Sequence, residues 1–131
     1  MRRIEHIGIA VSDIIESNKV FEKIFGKENF KEERVESEGV ITSFFQIGES
    51  KIELIEAIDV DSPISTFITK NREGMHHIAF DVESIEKEMD RLKKEGIRLL
   101  NDTPKRGADN KLICFLHPKD TNGVLIELCQ E

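Results

Sequence analysis

The chain has 131 residues, 38% hydrophobic and 34% charged, with a formal net charge of −7. That is one domain by the usual prior of ~150 residues, and the regular recurrence of Ile, Leu, Val and Phe excludes a disordered polyampholyte. Ile7 to Val11, the densest apolar stretch, is far short of the ~20 residues a membrane-spanning helix needs. With 19 Lys and Arg against 26 Asp and Glu, neither nucleic acid nor a membrane is expected as partner, although a small anion needs only a local basic patch.

Residues 3–11 read as a strand with His6, Gly8 and Ala10 on one face and Ile7, Ile9 and Val11 on the other. Asp13 predicts a helix N-cap, with Glu16 completing a capping box. Ile14, Phe21, Ile24 and Phe25 form the apolar stripe, and Gly26 is the left-handed stop. Strands come next near 31–36, 40–47 and 51–57, the last two joined by a turn at Gly48-Glu49-Ser50. Ser62-Pro63 opens a short helix carrying Ile64, Phe67 and Ile68. Met75–Val82 is the next strand, and Ser84 caps a helix whose stripe is Ile85, Met89 and Leu92, ended by Gly96. Strands are expected at 97–100, 112–117 and 124–129, with a mobile loop at 102–111.

The chain contains itself twice. Ile4-Glu5-His6-Ile7-Gly8-Ile9-Ala10-Val11 aligns with Met75-His76-His77-Ile78-Ala79-Phe80-Asp81-Val82, and Ile52-Glu53-Leu54 recurs as Ile126-Glu127-Leu128. The same motifs recur in the same order at nearly the same spacing. The expectation is a single α+β domain of two tandem βαβββ modules, about 1–58 and 73–131, joined by a helical linker at 59–72. The two modules would form a curved, half-barrel-like mixed sheet around a metal site.

The duplication would bring His6 opposite His77 and Glu53 opposite Glu127. Two imidazoles and two carboxylates are a mixed N/O set suited to a divalent ion such as Zn, Co, Mn, Ni or Fe, with positions left for water or substrate. A single strand histidine is most often a hydrogen-bonded core or surface residue. The repeat-equivalence of all four residues is what points to a site. His76 must face the other side of its strand, and His117, before Pro118, is a candidate substrate contact. Cys114 and Cys129, without a Cys-x-x-Cys pattern, read as reduced strand residues. Met1-Arg2-Arg3 looks like a charged signal segment, but Glu5 and His6 interrupt the apolar run that a signal segment would need next, and a cytoplasmic location is expected.

On these residues the sequence resembles the vicinal-oxygen-chelate (glyoxalase, bleomycin-resistance and dioxygenase) superfamily. Within it, the sequence closely resembles the methylmalonyl-CoA epimerase family. The markers run end to end, through Asp61-Ser62-Pro63-Ile64 to His117-Pro118-Lys119 and Gly123-Val124-Leu125-Ile126-Glu127. The resemblance implies a homodimeric isomerase that interconverts the two C2 epimers of methylmalonyl-CoA through a metal-stabilised enolate. It implies one divalent ion per subunit, cobalt first, with Zn, Mn or Ni as alternatives, held by His6, Glu53, His77 and Glu127. Glu127 is implied as one acid/base. Where some relatives carry a second glutamate this chain has Thr42, so Glu53, a bound water or Glu38 are the candidates for the other base. Lys105, Arg106, Lys111 and Lys119, with His117, would contact the CoA thioester. The alternatives are a glyoxalase I-type lyase acting on a glutathione hemithioacetal and a metal-free drug-binding protein of the same fold.

Overall fold

The structure, a computed structural model, describes all 131 residues. They form two compact units, one of Ile7–His76 and one of Met1–His6 with His77–Glu131. The first strand, β1 (Arg3–Ala10), therefore contributes its opening residues to one unit and its end to the other. Arg2 ties this opening segment down, its backbone N–H on Asp81 O and its guanidinium 2.9 Å from the Asp81 carboxylate.

In the unit Ile7–His76, β1 leads into α1 (Ile14–Phe25), β2 (Lys31–Val35), β3 (Val40–Ile47), β4 (Ser50–Ala57) and α2 (Pro63–Asn71). The strand order is β2-β3-β4-β1, with β2–β3 and β3–β4 antiparallel. Asp13 caps α1 by accepting from the N–H groups of Ile15 and Glu16, and Gly26 ends it at φ 72°. The capping box is only half formed, because the Glu16 carboxylate pairs with Lys19 one turn on. Ile14, Val11, Phe45 and Leu54 form the core under the helix, with Phe21 and Phe25 packed against it. Ile24, expected in that stripe, is 65% exposed, since it falls outside the face that meets β3 and β4.

In the other unit, β5 (Gly74–Asp81) is followed by α3 (Ile85–Lys94), β6 (Lys105–Arg106), β7 (Leu112–Phe115) and β8 (Ile126–Gln130). The order is β1-β5-β8-β7-β6, with β5–β8 parallel and the β8–β7 and β7–β6 pairs antiparallel. Ile85, Met89 and Leu92 are buried as their spacing predicts, against Val82, Cys114, Leu116 and Leu128. Burying each contributes about 1.5–3 kcal/mol.

The strand expected at 97–100 does not form. Arg98 gives its backbone N–H to the Asp120 carboxylate rather than to a sheet neighbour, and only a single bridge, Leu99 to Leu116, remains. Elsewhere on β7, Leu112 and Ile113 pair with β6, inside the segment expected to be a loop. That segment folds back because Gly107 donates to Lys111 O and lies against Ile113, where a Cβ would come within 2.6 Å of Ile113 Cδ1. No helix is long and apolar enough to cross a membrane.

The duplication is written into hydrogen bonds as well as motifs. In one unit Val11 N bonds Ile55 O and Ile14 N bonds Glu56 Oε1; in the other Val82 N bonds Cys129 O and Ile85 N bonds Gln130 Oε1. Each unit thus secures the start of its helix to its last strand in the same way. Both candidate glutamates also share a register position, Glu53 opposite Phe44 and Glu127 opposite Phe115.

Candidate metal centre

Strand alternation decides which side chains can meet. On β8, Leu128 enters the core under α3, so Glu127 and Cys129 point to the other face, where Ala79 of β5 and Ile113 and Phe115 of β7 also lie. His6 of β1 and His77 of β5 are 5% and 6% exposed, and Glu127 is 4% exposed. Their polar ends converge. His6 Nε2 is 2.9 Å from His77 Nε2 and 3.0 Å from Glu127 Oε2, and His77 Nε2 is 3.8 Å from the same oxygen. The two imidazoles stand edge to face at 89°, and Phe115 makes a second such contact with His77 at 6.0 Å.

Burial pushes the Glu127 carboxyl up, but the hydrogen bond and charge of His6, with the charge of His77, outweigh it and hold the group below its ordinary value. Glu127 Oε2 nevertheless has no hydrogen bond of good geometry, although it is fully buried. A carboxylate oxygen aimed at two imidazole nitrogens that face one another at 2.9 Å is a donor set of the kind a divalent cation takes. Ligand atoms at ~2.1 Å from an ion and at right angles to each other lie ~3.0 Å apart. The His6–His77 and His6–Glu127 separations match that spacing, so these three residues fit a divalent ion.

The other side of His6 is also occupied. Its Nδ1 is 3.0 Å from Oε1 of Glu5, a residue 1% exposed. Glu5 Oε2 lies 3.5 Å from the ammonium of Lys111 and 3.9 Å from Arg3. Lys111, expected to meet the phosphates of a ligand, is instead turned inward, 6% exposed, with Glu131 as its second carboxylate. The buried glutamate attracts it more strongly than solvent does. An acidic residue directly before a strand histidine is the one signal of Glu5 that the sequence carries.

Glu53 is on β4 in the unit Ile7–His76, 4% exposed. His76 faces α2 and stacks edge-on against Phe67. His117 caps a short 3₁₀ turn, its Nδ1 accepting from Lys119 N. Lys119 and Arg106 are exposed, and the Arg106 guanidinium donates to Asn110 O. Lys105 sits over the Phe115 ring at 5.8 Å. Thr42 is buried on β3 and donates to Glu33 O. Cys129 lies beside Glu5 and His6, but its thiol points to Phe80 O and burial pushes its pKa up, which makes it a poor ligand. Cys114 is pushed up for the same reason.

The glyoxalase/bleomycin resistance protein/dioxygenase superfamily matches residues 5–115. An uncharacterized protein, YqjC of Bacillus subtilis, is 40% identical, over 99% of this chain and 93% of its own. The ethylmalonyl-CoA/methylmalonyl-CoA epimerase of Cereibacter sphaeroides is also 40% identical, covering 98% and 97%. A solved methylmalonyl-CoA epimerase in complex with methylmalonyl-CoA and NH4+ superposes with a TM-score of 0.95 at 36% identity, over 100% of this chain and 95% of that one. With its tandem βαβββ units and its paired histidines, the chain belongs to the glyoxalase/bleomycin resistance protein/dioxygenase superfamily, and within it to the family of the methylmalonyl-CoA epimerases.

Proposed function

We propose that this chain is a metal-dependent epimerase that interconverts the (R) and (S) forms of methylmalonyl-CoA by moving the C2 proton. The observation that carries the reading is the convergence of His6 Nε2, His77 Nε2 and Glu127 Oε2 in a buried setting, in a chain related end to end to epimerases of that substrate. His6, His77 and Glu127 hold the ion, and Glu53, the repeat counterpart of Glu127, is its fourth ligand. A divalent ion, cobalt by preference, supplies Lewis-acid stabilisation of negative charge on the thioester oxygen.

The remaining work falls to the chain. A proton beside a thioester carbonyl is a weak acid, so the base must be held close and in line with it. Glu127 keeps Oε2 toward the histidines and takes the C2 proton on Oε1. Glu53 serves the opposite face of the same carbon, because Thr42 has no group that ionises near neutral pH. The Phe115 ring, packed on His77, keeps bulk water from that side. Arg106, Lys119 and His117 contact the CoA phosphates and adenine, and the enzyme works as a homodimer in the cytoplasm.

The test is deuterium incorporation at C2 of methylmalonyl-CoA in heavy water, with and without chelator. Chelator-sensitive exchange from either epimer is expected, with one divalent ion per chain by elemental analysis. Turnover of methylglyoxal with glutathione and no exchange would transfer the chain to the lyases. A protein with neither activity and no stoichiometric ion would be a binder.

A further inference from the structure

We infer that Glu5 is a positioning residue, which fixes the tautomer and orientation of His6 through Nδ1 and is itself held by the buried ammonium of Lys111. The inference rests on the proposed metal centre for its use, but not for its geometry.

A neutral imidazole carries one hydrogen, on Nδ1 or on Nε2, and only the bare nitrogen can bind an ion. Glu5 Oε1 lies 3.0 Å from His6 Nδ1. A carboxylate accepts, so Glu5 holds a hydrogen on Nδ1 and makes Nε2, the nitrogen that faces His77 and Glu127, the one that gives up its hydrogen to an ion. Carboxylates placed behind ligating histidines act in this way, orienting the ring and strengthening it as a donor.

Glu5 is costly to keep charged, being 1% exposed and close to the buried Cys129. Lys111 at 3.5 Å, with Arg3 at 3.9 Å, offsets that cost. Lys111 comes from the turn after the 3₁₀ segment Ala108–Asn110, whose residues Asp109 and Asn110 have φ of 59° and 55°. That left-handed backbone, together with the Gly107 N–H bond to Lys111 O, turns the lysine into the protein. The turn between β6 and β7 thus has a purpose at the site although none of its residues reaches the histidines.

The experiment uses the full chain with selectively ¹⁵N-labelled histidine, first free of metal and carrying Glu127→Ala, which removes the other carboxylate within 3.0 Å of the ring. With Glu5 present, the His6 ring should then be the Nδ1–H tautomer by its ¹⁵N shifts. Adding Glu5→Ala should shift it toward Nε2–H, and in the chain that keeps Glu127, Glu5→Ala should raise the dissociation constant for Co²⁺, followed by its visible absorption, by roughly 10–100-fold. Glu5→Gln, whose carbonyl still accepts the same N–H, should keep the tautomer and lose less affinity. Because Glu5→Ala leaves a buried ammonium without its main partner, the double variant Glu5→Ala with Lys111→Met secures a folded comparison, with the same tautomer change expected. A His6 protonated on Nε2 alone in the Glu127→Ala chain while Glu5 is present, or a Glu5→Ala protein that keeps both tautomer and Co²⁺ affinity, overturns the inference. Failure of the wild type to bind Co²⁺ would overturn the metal centre instead, and the metal-free tautomer would still decide the role of Glu5.

Discussion

The Nε2 atoms of His6 and His77 face each other across 2.9 Å, a distance at which one hydrogen at most can lie between them. The two buried rings can share one N–H···N hydrogen bond, and the carboxylate of Glu127 beside them completes a donor set that a divalent ion fits.

Removing one of these groups should therefore affect the ion before it affects the fold. His77→Ala and Glu127→Gln are each expected to weaken Co²⁺ binding by at least the roughly 10–100-fold that loss of a supporting partner costs. C2 proton exchange should fall in step. Equilibrium dialysis and exchange in heavy water would check both, with circular dichroism confirming the fold. Near-wild-type exchange in either variant would contradict the assignment of that residue.

Helix α3 tests the packing in a way that separates burial from hydrophobicity. Met89 is 3% exposed among Ile85, Leu92 and Leu128, and Met89→Ala should cost about 2–5 kcal/mol. Ile24→Ala removes more branched hydrocarbon, but from a 65% exposed position, and should stay within about 0.5 kcal/mol. Urea denaturation of the two variants gives the comparison directly, and similar midpoints would refute it.

That pair also shows where the sequence was legible. Spacing placed both helices, their caps and most of their buried stripes, because a 3.6-residue period and a capping side chain are local properties. The repeat of His6 at His77 and of Glu53 at Glu127 marked the candidate ligands, because duplication preserves register. Ile24 was misplaced because a four-residue apolar stripe is wider than the face that the sheet covers. The strand at 97–100 was lost, and β6 gained, through contacts that no local pattern announces: Asp120 capturing the Arg98 N–H, and Gly107 admitting Ile113. Lys111 read as a surface cation because its partner, Glu5, is 106 positions earlier in the chain.

The two helix caps occupy equivalent positions but should not be worth the same. Asp13 accepts from Ile15 N at 3.1 Å and from Glu16 N at 3.2 Å and carries a negative charge at the positive end of α1. Ser84 accepts only from Lys87 N, at 3.4 Å, and is neutral. Within the about 0.5–2 kcal/mol range for such losses, Asp13→Ala should fall in the upper half and Ser84→Ala in the lower. The reverse order in thermal melts would show that the second bond and the charge do not matter here.

Acid should act on the segment after α3 through one pair. Asp120 takes hydrogen bonds from the Arg98 side chain, its Nε at 3.0 Å and Nη2 at 2.9 Å, and from the Arg98 backbone at 2.8 Å. The guanidinium first, and the backbone N–H second, bring the carboxyl down from 3.8 to about 2. A group whose folded value is depressed stabilises the fold in full above its unfolded value, and that contribution fades as pH falls toward the folded one. Asp120→Asn should therefore be less stable than the wild type at neutral pH, with a deficit that shrinks between pH 3.8 and about 2 and vanishes below. Salt should reduce the deficit, because the pair is at the surface and screened. Urea midpoints of both proteins across that window would measure it. A deficit that stays constant down to the lowest pH would mean that Asp120 supports the 97–100 segment by shape and not by charge.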